Sequence, residues 1–243
     1  MLEVKRLWKV YKNGSGIRDV SFKINQGDLV AFVGSNGAGK TTTIKTIFKE
    51  IKSDTGSVKF RDKLIDRNSL RKMAFFPDSN NIPLDLKVNE YVEYVGLLYG
   101  IKNSEIDASR QKLMSMMGIL SLGESYLKDL SAGEKKKAIM VATLIYKPEL
   151  IIFDEPTANL DVKSKLEFIE IIKKLHKEGI TIMITSHLID ELQLLSNWLI
   201  IIDNGKILYD KKFDNKTQSI LKIHNSLIAE GENNLEELSS FYK

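Results

Sequence analysis

The run Gly34-Ser35-Asn36-Gly37-Ala38-Gly39-Lys40-Thr41-Thr42 has the residue types and spacing to hold a polyphosphate. Glycines let successive backbone N–H groups turn toward an anion with no side chain in the way. The N-terminus of a following helix adds partial positive charge. Lys40 has the reach for β- and γ-phosphates, and the Thr41 hydroxyl suits a Mg²⁺ ion. A second stretch, Leu150-Ile151-Ile152-Phe153-Asp154-Glu155, reads as an apolar strand ending in two carboxylates. Such an ending is common by chance, but beside a phosphate loop it acquires a role. The first carboxylate, Asp154, suits the metal's shell. The next, Glu155, suits a general base that orients and deprotonates a water aimed at the terminal phosphate.

These groups need elements to hold them. The apolar run Leu29-Val30-Ala31-Phe32-Val33 feeds the glycine-rich loop as a strand, and Thr42 to Phe48 continues as a helix. Short alternating runs before it, such as Asp19-Val20-Ser21-Phe22-Lys23-Ile24, predict a small sheet over residues 1–33. The turn-like Ser53-Asp54-Thr55-Gly56 precedes a strand at Ser57–Phe60, and residues 70–76 read as another. Residues 88–146 become helical: Val88, Tyr91, Val92, Val95 and Leu98 share one spacing, and Leu113, Met116 and Met117 another. These tyrosines and methionines are read as packing. From Leu150 the apolar strands return at 150–153, 180–184 and 198–202, with helices near 162–177 and 188–195. Near-continuous apolar strands are those covered by helices on both faces. Beyond about Asp210 the tail is polar and reads as a short helical extension.

Composition narrows the classes. With 243 residues, the chain can bury a full α/β core. A formal net charge of +4 gives no basic footprint, so nucleic acid is not an expected partner. There is no cysteine for a disulfide, thiolate metal site or thiol nucleophile. The start, Met1-Leu2-Glu3-Val4-Lys5-Arg6, lacks the apolar core of a signal peptide. No apolar run approaches the roughly 20 residues that span a bilayer.

Leu130-Ser131-Ala132-Gly133-Glu134, 20 residues before the Leu150 strand, closely resembles the L-S-G-G-Q signature of the ATP-binding cassette (ABC) family, the motor subunits of ABC transporters. Pro156, the Ala158-Asn159-Leu160-Asp161 segment, and His187 after Thr185-Ser186 match the family's loops in order. Tyr11, 29 residues before Lys40, resembles the aromatic that stacks on adenine, with Trp8 close enough to compete. The resemblance covers about residues 1–210. It implies an α/β phosphate-loop NTPase core with a mainly parallel sheet, an N-terminal antiparallel β subdomain and a helical lobe. The ATPase domain would span 1–210, with the lobe inserted at about 85–147 and a C-terminal extension over 211–243.

By the same resemblance, two such domains pack head to tail around two ATP molecules. Lys40, Thr41 and Asp154 of one grip phosphates and Mg²⁺. Ser131 and the Gly133 backbone of the other cap the γ-phosphate, and Glu134 belongs to the same nucleotide-binding set. His187 contacts that phosphate and Asp161 links the two sites. The implied function is ATP hydrolysis that drives dimer closure and opening and powers transport by a separate membrane-spanning subunit, with a second ABC ATPase subunit as the other partner. Tyr94 to Ile101 resembles a stretch of multidrug and antibiotic exporter ATPases, which points to export. The chain is expected to be cytoplasmic, peripheral on the inner face of the cell membrane through its partner. A soluble ABC ATPase acting as an assembly or scaffold factor is the alternative.

The departures from the family pattern are specific. Ala132 stands where glycine is usual, and Glu134 where glutamine is usual. Asp78 stands where the family has a metal-contacting glutamine, so its Mg²⁺ contact is direct, water-mediated or lost. Lys135-Lys136-Lys137 replaces an Arg/Gln-containing run and reads as a solvated helix face. In the loop Pro77–Lys87, Ile82, Leu84 and Leu86, with Tyr91 and Tyr94 beyond, are compatible with a groove for the membrane subunit or with packing of the lobe.

Overall fold

Alternation in the first strands sorts side chains onto two faces. In the computed structural model, which describes residues 1–76, 82–186 and 189–228, β1 (Leu2–Val10) and β2 (Gly16–Ile24) pair antiparallel. Leu2, Val4 and Leu7 point inward from β1, and Ile17, Val20, Phe22 and Ile24 from β2. The β1 alternation slips between Val4 and Leu7, where the pairing shifts and Arg6 takes a φ of 47°. That bulge lets Leu7 face the core.

The next strand, β3 (Leu29–Val33), is buried along its whole length. The phosphate loop follows and opens α1 (Lys40–Ile47). β4 (Thr55–Phe60) begins two residues before the expected strand because Thr55 already pairs with Trp8. β5 (Lys63–Leu64) completes a four-stranded antiparallel sheet in the order β2-β1-β4-β5. The expected strand over 70–76 divides: α2 (Arg67–Leu70) comes first, then β6 (Met73–Phe76). Asp66 caps α2 by accepting from the Ser69 N–H at 2.7 Å, a turn too short for periodicity to reveal.

The lobe consists of α3 (Val88–Leu98), α4 (Asn103–Met116), two short 3₁₀ turns and α5 (Ala132–Leu144). Val88, Tyr91 and Val92 are buried as their spacing predicts, but Met116 faces outward and Met114 and Met117 pack instead. Tyr99 stacks on Tyr146 with ring centroids 3.6 Å apart.

β7 (Leu150–Asp154), α6 (Val162–Lys177), β8 (Thr181–Thr185), α7 (Ile189–Leu195) and β9 (Trp198–Asp203) then complete the α/β core. β10 (Lys206–Lys212) folds back on β9, and α8 (Ile220–Ile228) packs on α7. The second sheet has the order β10-β9-β3-β8-β7-β6, parallel except for the β9–β10 hairpin. Its buried strands feed two cores by alternation. Ala31, Ile151, Phe153, Ile184 and Ile201 join one with the lobe helices and α6, while Val30, Phe32, Ile152, Met183 and Ile200 join the other with α1 and the antiparallel sheet. Helices and a second sheet thus clamp β3, β7 and β8 so that their carboxyl ends open on one edge, where ligands of open α/β sheets bind.

Candidate nucleotide site

The loop after β3 and the carboxylates after β7 converge on one cleft of about 550 Å³. Ser35, Asn36, Gly37, Gly39, Lys40, Thr41, Thr42, Asp154 and Glu155 line it, joined by Ser15, Gly16 and Ala158. Gly39, the residue capping α1, has a φ of 109°, and a Cβ there would come within 2.7 Å of the Ile17 side chain. Both the backbone angle and the close approach require glycine. The first turn of α1 therefore presents its unpaired N–H groups and positive dipole end to the cleft.

Lys40 is buried, and its ammonium donates to the Gly34 carbonyl at 2.6 Å and the Ser35 carbonyl at 3.2 Å. Burial pulls its pKa below the ordinary lysine value, while the Glu155 and Asp154 charges act in the opposite direction. Thr41 Oγ1 donates to Asp154 Oδ2 at 3.3 Å. The other Asp154 oxygen accepts from the Thr185 hydroxyl at 2.5 Å. Thr185 enters the sequence reading only as the lead-in to His187, with no role of its own. It ends β8 directly opposite Asp154 in the parallel register. Only strand pairing, not spacing along the chain, brings those two together.

Glu155 follows immediately with a left-handed φ of 50°, a conformation that costs a non-glycine residue about 1–2 kcal/mol. Its N–H donates to the Thr185 carbonyl at 3.1 Å, which holds the turn against β8. Strain of this kind concentrates where side-chain aim matters. Tyr11 lies outside the cleft lining, 37% exposed, in the loop that brings Ser15 and Gly16 to the cleft; its N–H donates to the Ser15 carbonyl at 2.8 Å. Asp78 and His187 lie outside the described residues.

Ser131, Gly133, Glu134 and Asp161 do not line this cleft. They gather at two neighbouring helix N-termini. Ser131 caps α5 in a capping box: its hydroxyl and its N–H donate to the Glu134 carboxylate at 2.6 and 2.9 Å. Those bonds, the hydroxyl's first, hold the Glu134 carboxyl below the usual carboxylate range. Asp161 caps α6, accepting from the Ser164 hydroxyl and N–H at 2.6 and 3.0 Å, and is lowered likewise. Gly133 sits where the helices touch, since a Cβ there would lie 2.7 Å from Ser164 Oγ.

The solvated face expected over Lys135–Lys137 is overturned at its centre. Lys136 does not belong to a solvated face: it is 1% exposed, and its ammonium donates into the turn after β7. Lys135 and Lys137 flank it half-buried, and Lys137 pairs with Glu167 of α6 at 2.7 Å.

Known proteins share this fold. Residues 17–158 match the ABC transporter family model. The lantibiotic transport ATP-binding protein SrtF of Streptococcus pyogenes is 30% identical over 230 residues, covering 95% of this chain and 99% of that protein. The linearmycin resistance ATP-binding protein LnrL of Bacillus subtilis is 28% identical over 86% of this chain and 68% of its own length. Among solved structures, an ATP-binding subunit of an ABC transporter superposes with a TM-score of 0.84 at 24% identity, over 93% of this chain and 99% of that one. The chain belongs to the ABC transporter family and is an ATP-binding, ATP-hydrolysing transporter subunit. Among the described residues no helix is long and apolar enough to cross a membrane.

Proposed function

We propose that the cleft binds ATP with Mg²⁺, and that two cassettes close head to tail on two nucleotides to drive export through a separate membrane-spanning subunit. The observation that carries this reading is the division of the motifs. Lys40, Thr41, Asp154 and Glu155 share one cleft, whereas exposed Ser131 lies outside it at the N-terminus of α5, with Gly133 buried just behind it.

Lys40 exchanges its loop carbonyls for β- and γ-phosphate oxygens, and the α1 N–H groups wrap the phosphates. Thr41 Oγ1 and Asp154 Oδ2, already within reach of each other, are the oxygens that would hold a Mg²⁺ ion. Among the described residues no group of three acidic, histidine or cysteine side chains could hold a metal unaided, which suits an ion that arrives with its nucleotide. A Mg²⁺ ion held by Thr41 and Asp154 would supply positive charge to offset that of the transferring phosphate. Asp78 is assigned to the same shell. Glu155 takes the proton from the attacking water, His187 contacts the γ-phosphate, and Tyr11 stacks on the base. Ser131 and the Gly133 backbone of the second cassette cap the phosphate, Glu134 lies beside them with its carboxylate on Ser131, and Asp161 links the two sites.

The second cassette is a copy or a paralogue, and the membrane subunit would hold the pair at the inner face of the membrane. Relatives named for lantibiotic transport and linearmycin resistance support an antibiotic-like cargo. Glu155→Gln tests the assignment: it should keep ATP binding, lose at least about 100-fold in hydrolysis, and accumulate an ATP-bound dimer in size-exclusion chromatography. Near-normal turnover by this variant would remove Glu155 from the role of base.

A further inference from the structure

A buried lysine in a helix core is expensive unless its ammonium is well partnered. Lys136 has an unusual set of partners. Its Nζ donates to the carbonyls of Pro156 and of Ala158, the latter at 2.9 Å, and lies 3.5 Å from that of Glu155. Three of the four peptide units of one turn therefore aim their oxygens at a single cation. The turn begins at Glu155 with its left-handed φ and closes by the Ala158 N–H donating to the Glu155 carbonyl at 3.2 Å. Its outer side is held by a different element, the Thr157 hydroxyl donating to Glu191 of α7 at 2.5 Å.

Fixing the peptide planes of residues 155–158 fixes where the Glu155 side chain leaves the backbone. Lys136 also stands on α5 just over one turn past Ser131, the residue that caps that helix. Two further ties keep this end of α5 against α6: the close approach of Gly133 to Ser164, and the Lys137–Glu167 pair. The base-bearing turn and the Ser131 end of α5 are thereby one mechanical unit. Packing alone would be served as well by an apolar side chain in that position. It would leave the three carbonyls without this donor.

We propose that Lys136 is a positioning residue for ATP hydrolysis: by gathering the carbonyls of Glu155, Pro156 and Ala158, its ammonium aims the Glu155 carboxylate and couples that turn to the helix that carries Ser131. The inference rests on Glu155 being the base and on Ser131 acting on a partner's nucleotide. In a head-to-tail pair, each chain's Lys136 then joins the site where that chain supplies the base to the site where it supplies the cap. Closure at one nucleotide is felt at the other through a single side chain.

The test is steady-state ATPase of the full chain with Lys136→Met, Lys136→Gln and Lys136→Arg, alone and combined with Glu155→Gln. Lys136→Met should lower kcat by about 10- to 100-fold, the penalty typical of a misaimed group, with KM for ATP within about twofold. Lys136→Arg, which keeps charge and donors, should recover part of that loss. In the Glu155→Gln background Lys136→Met should cost almost nothing further, because residues that act as a unit are not additive. A full additional loss there, or equal damage to kcat and ATP binding, would show a merely structural residue and overturn the proposal. Unchanged kcat in Lys136→Met, with Glu155→Gln inactive, overturns it while leaving the base assignment intact. An active Glu155→Gln removes the base assignment itself. Should Lys136→Met fail to fold by thermal melting, the shorter, neutral Lys136→Gln decides on the same readouts: a selective fall in kcat supports the role, and normal kcat overturns it.

Discussion

Glu134 puts a carboxylate at the N-terminus of α5, where the proposed reading brings a partner's γ-phosphate. A helix N-terminus favours an anion, but here the protein's own anion already takes the Ser131 hydroxyl and N–H. Closure on ATP must pull that hydroxyl away against like-charge repulsion. Glu134→Gln should therefore strengthen ATP-driven dimerisation by roughly two- to fivefold, the scale of an exposed charge contact, and the gain should shrink at high salt. Analytical ultracentrifugation at two ionic strengths reads both. The same bond predicts a pH effect on folding. The Glu134 carboxyl is lowered, first by the Ser131 hydroxyl and then by its N–H, so its capping contribution is whole at neutral pH. It is lost only as pH falls through that lowered value, below the usual carboxylate range. Melting curves from neutral to acid pH should fall more steeply for the native chain than for Glu134→Gln. At this scale the phosphate loop and the Asp154-Glu155 pair were legible because their chemistry runs consecutively along the chain. Thr185 and Lys136 were not, since strand register and a helix–turn contact bring them to the site from 31 and 19 residues away.

The element that matters most for the head-to-tail reading is α5. Its core side packs in the lobe, its Lys136 donates into the turn after β7, and its capped end is exposed. Ser131→Arg should thus separate two properties. ATP binding to the monomer should survive because Ser131 does not line the cleft, and dimerisation on ATP should be abolished. Loss of the cap should also cost about 1 kcal/mol of stability. Titration of a fluorescent nucleotide beside size-exclusion chromatography distinguishes these, and lost monomer affinity would contradict the arrangement. Elements of this kind differ in how plainly sequence announces them. β3, β7, β8 and β9 carry near-continuous apolar runs because both faces of each are covered, and α6 spans the predicted 162–177 because Asp161 caps it and its apolar stripe is regular. α2 is a single turn, and the β1 bulge breaks alternation at Arg6, so neither has a period to read. Met116 was misassigned to the core because Leu113, Met116 and Met117 share a helical spacing; it is the neighbouring Met114 that turns inward.

For the whole molecule, the question is where a membrane subunit would sit. The sequence left the apolar residues of the Pro77–Lys87 loop open between docking and packing, and burial divides them. Ile82 and Leu86 pack against the main core, as does buried Tyr91. Leu84 is 37% exposed and Tyr94 51%, with Leu97 and Leu98 of the same helix also exposed. The segment holding Leu84 is firmly seated, because the carbonyls of Leu84 and Leu86 accept from the N–H groups of Lys128 and Leu127 at 3.0 and 2.9 Å. Exposed apolar side chains on a fixed backbone suit a partner that covers them. The two roles should come apart on substitution. Leu84→Ser with Tyr94→Ser should leave the melting temperature and basal ATPase within error, yet abolish co-purification with the membrane subunit. Leu86→Ser should instead lower stability by about 1–2 kcal/mol, the value of a partly buried leucine, with any lost association following from unfolding. If the Leu84/Tyr94 double variant melts as early as Leu86→Ser, those side chains serve packing, and the docking surface must be sought elsewhere on the lobe.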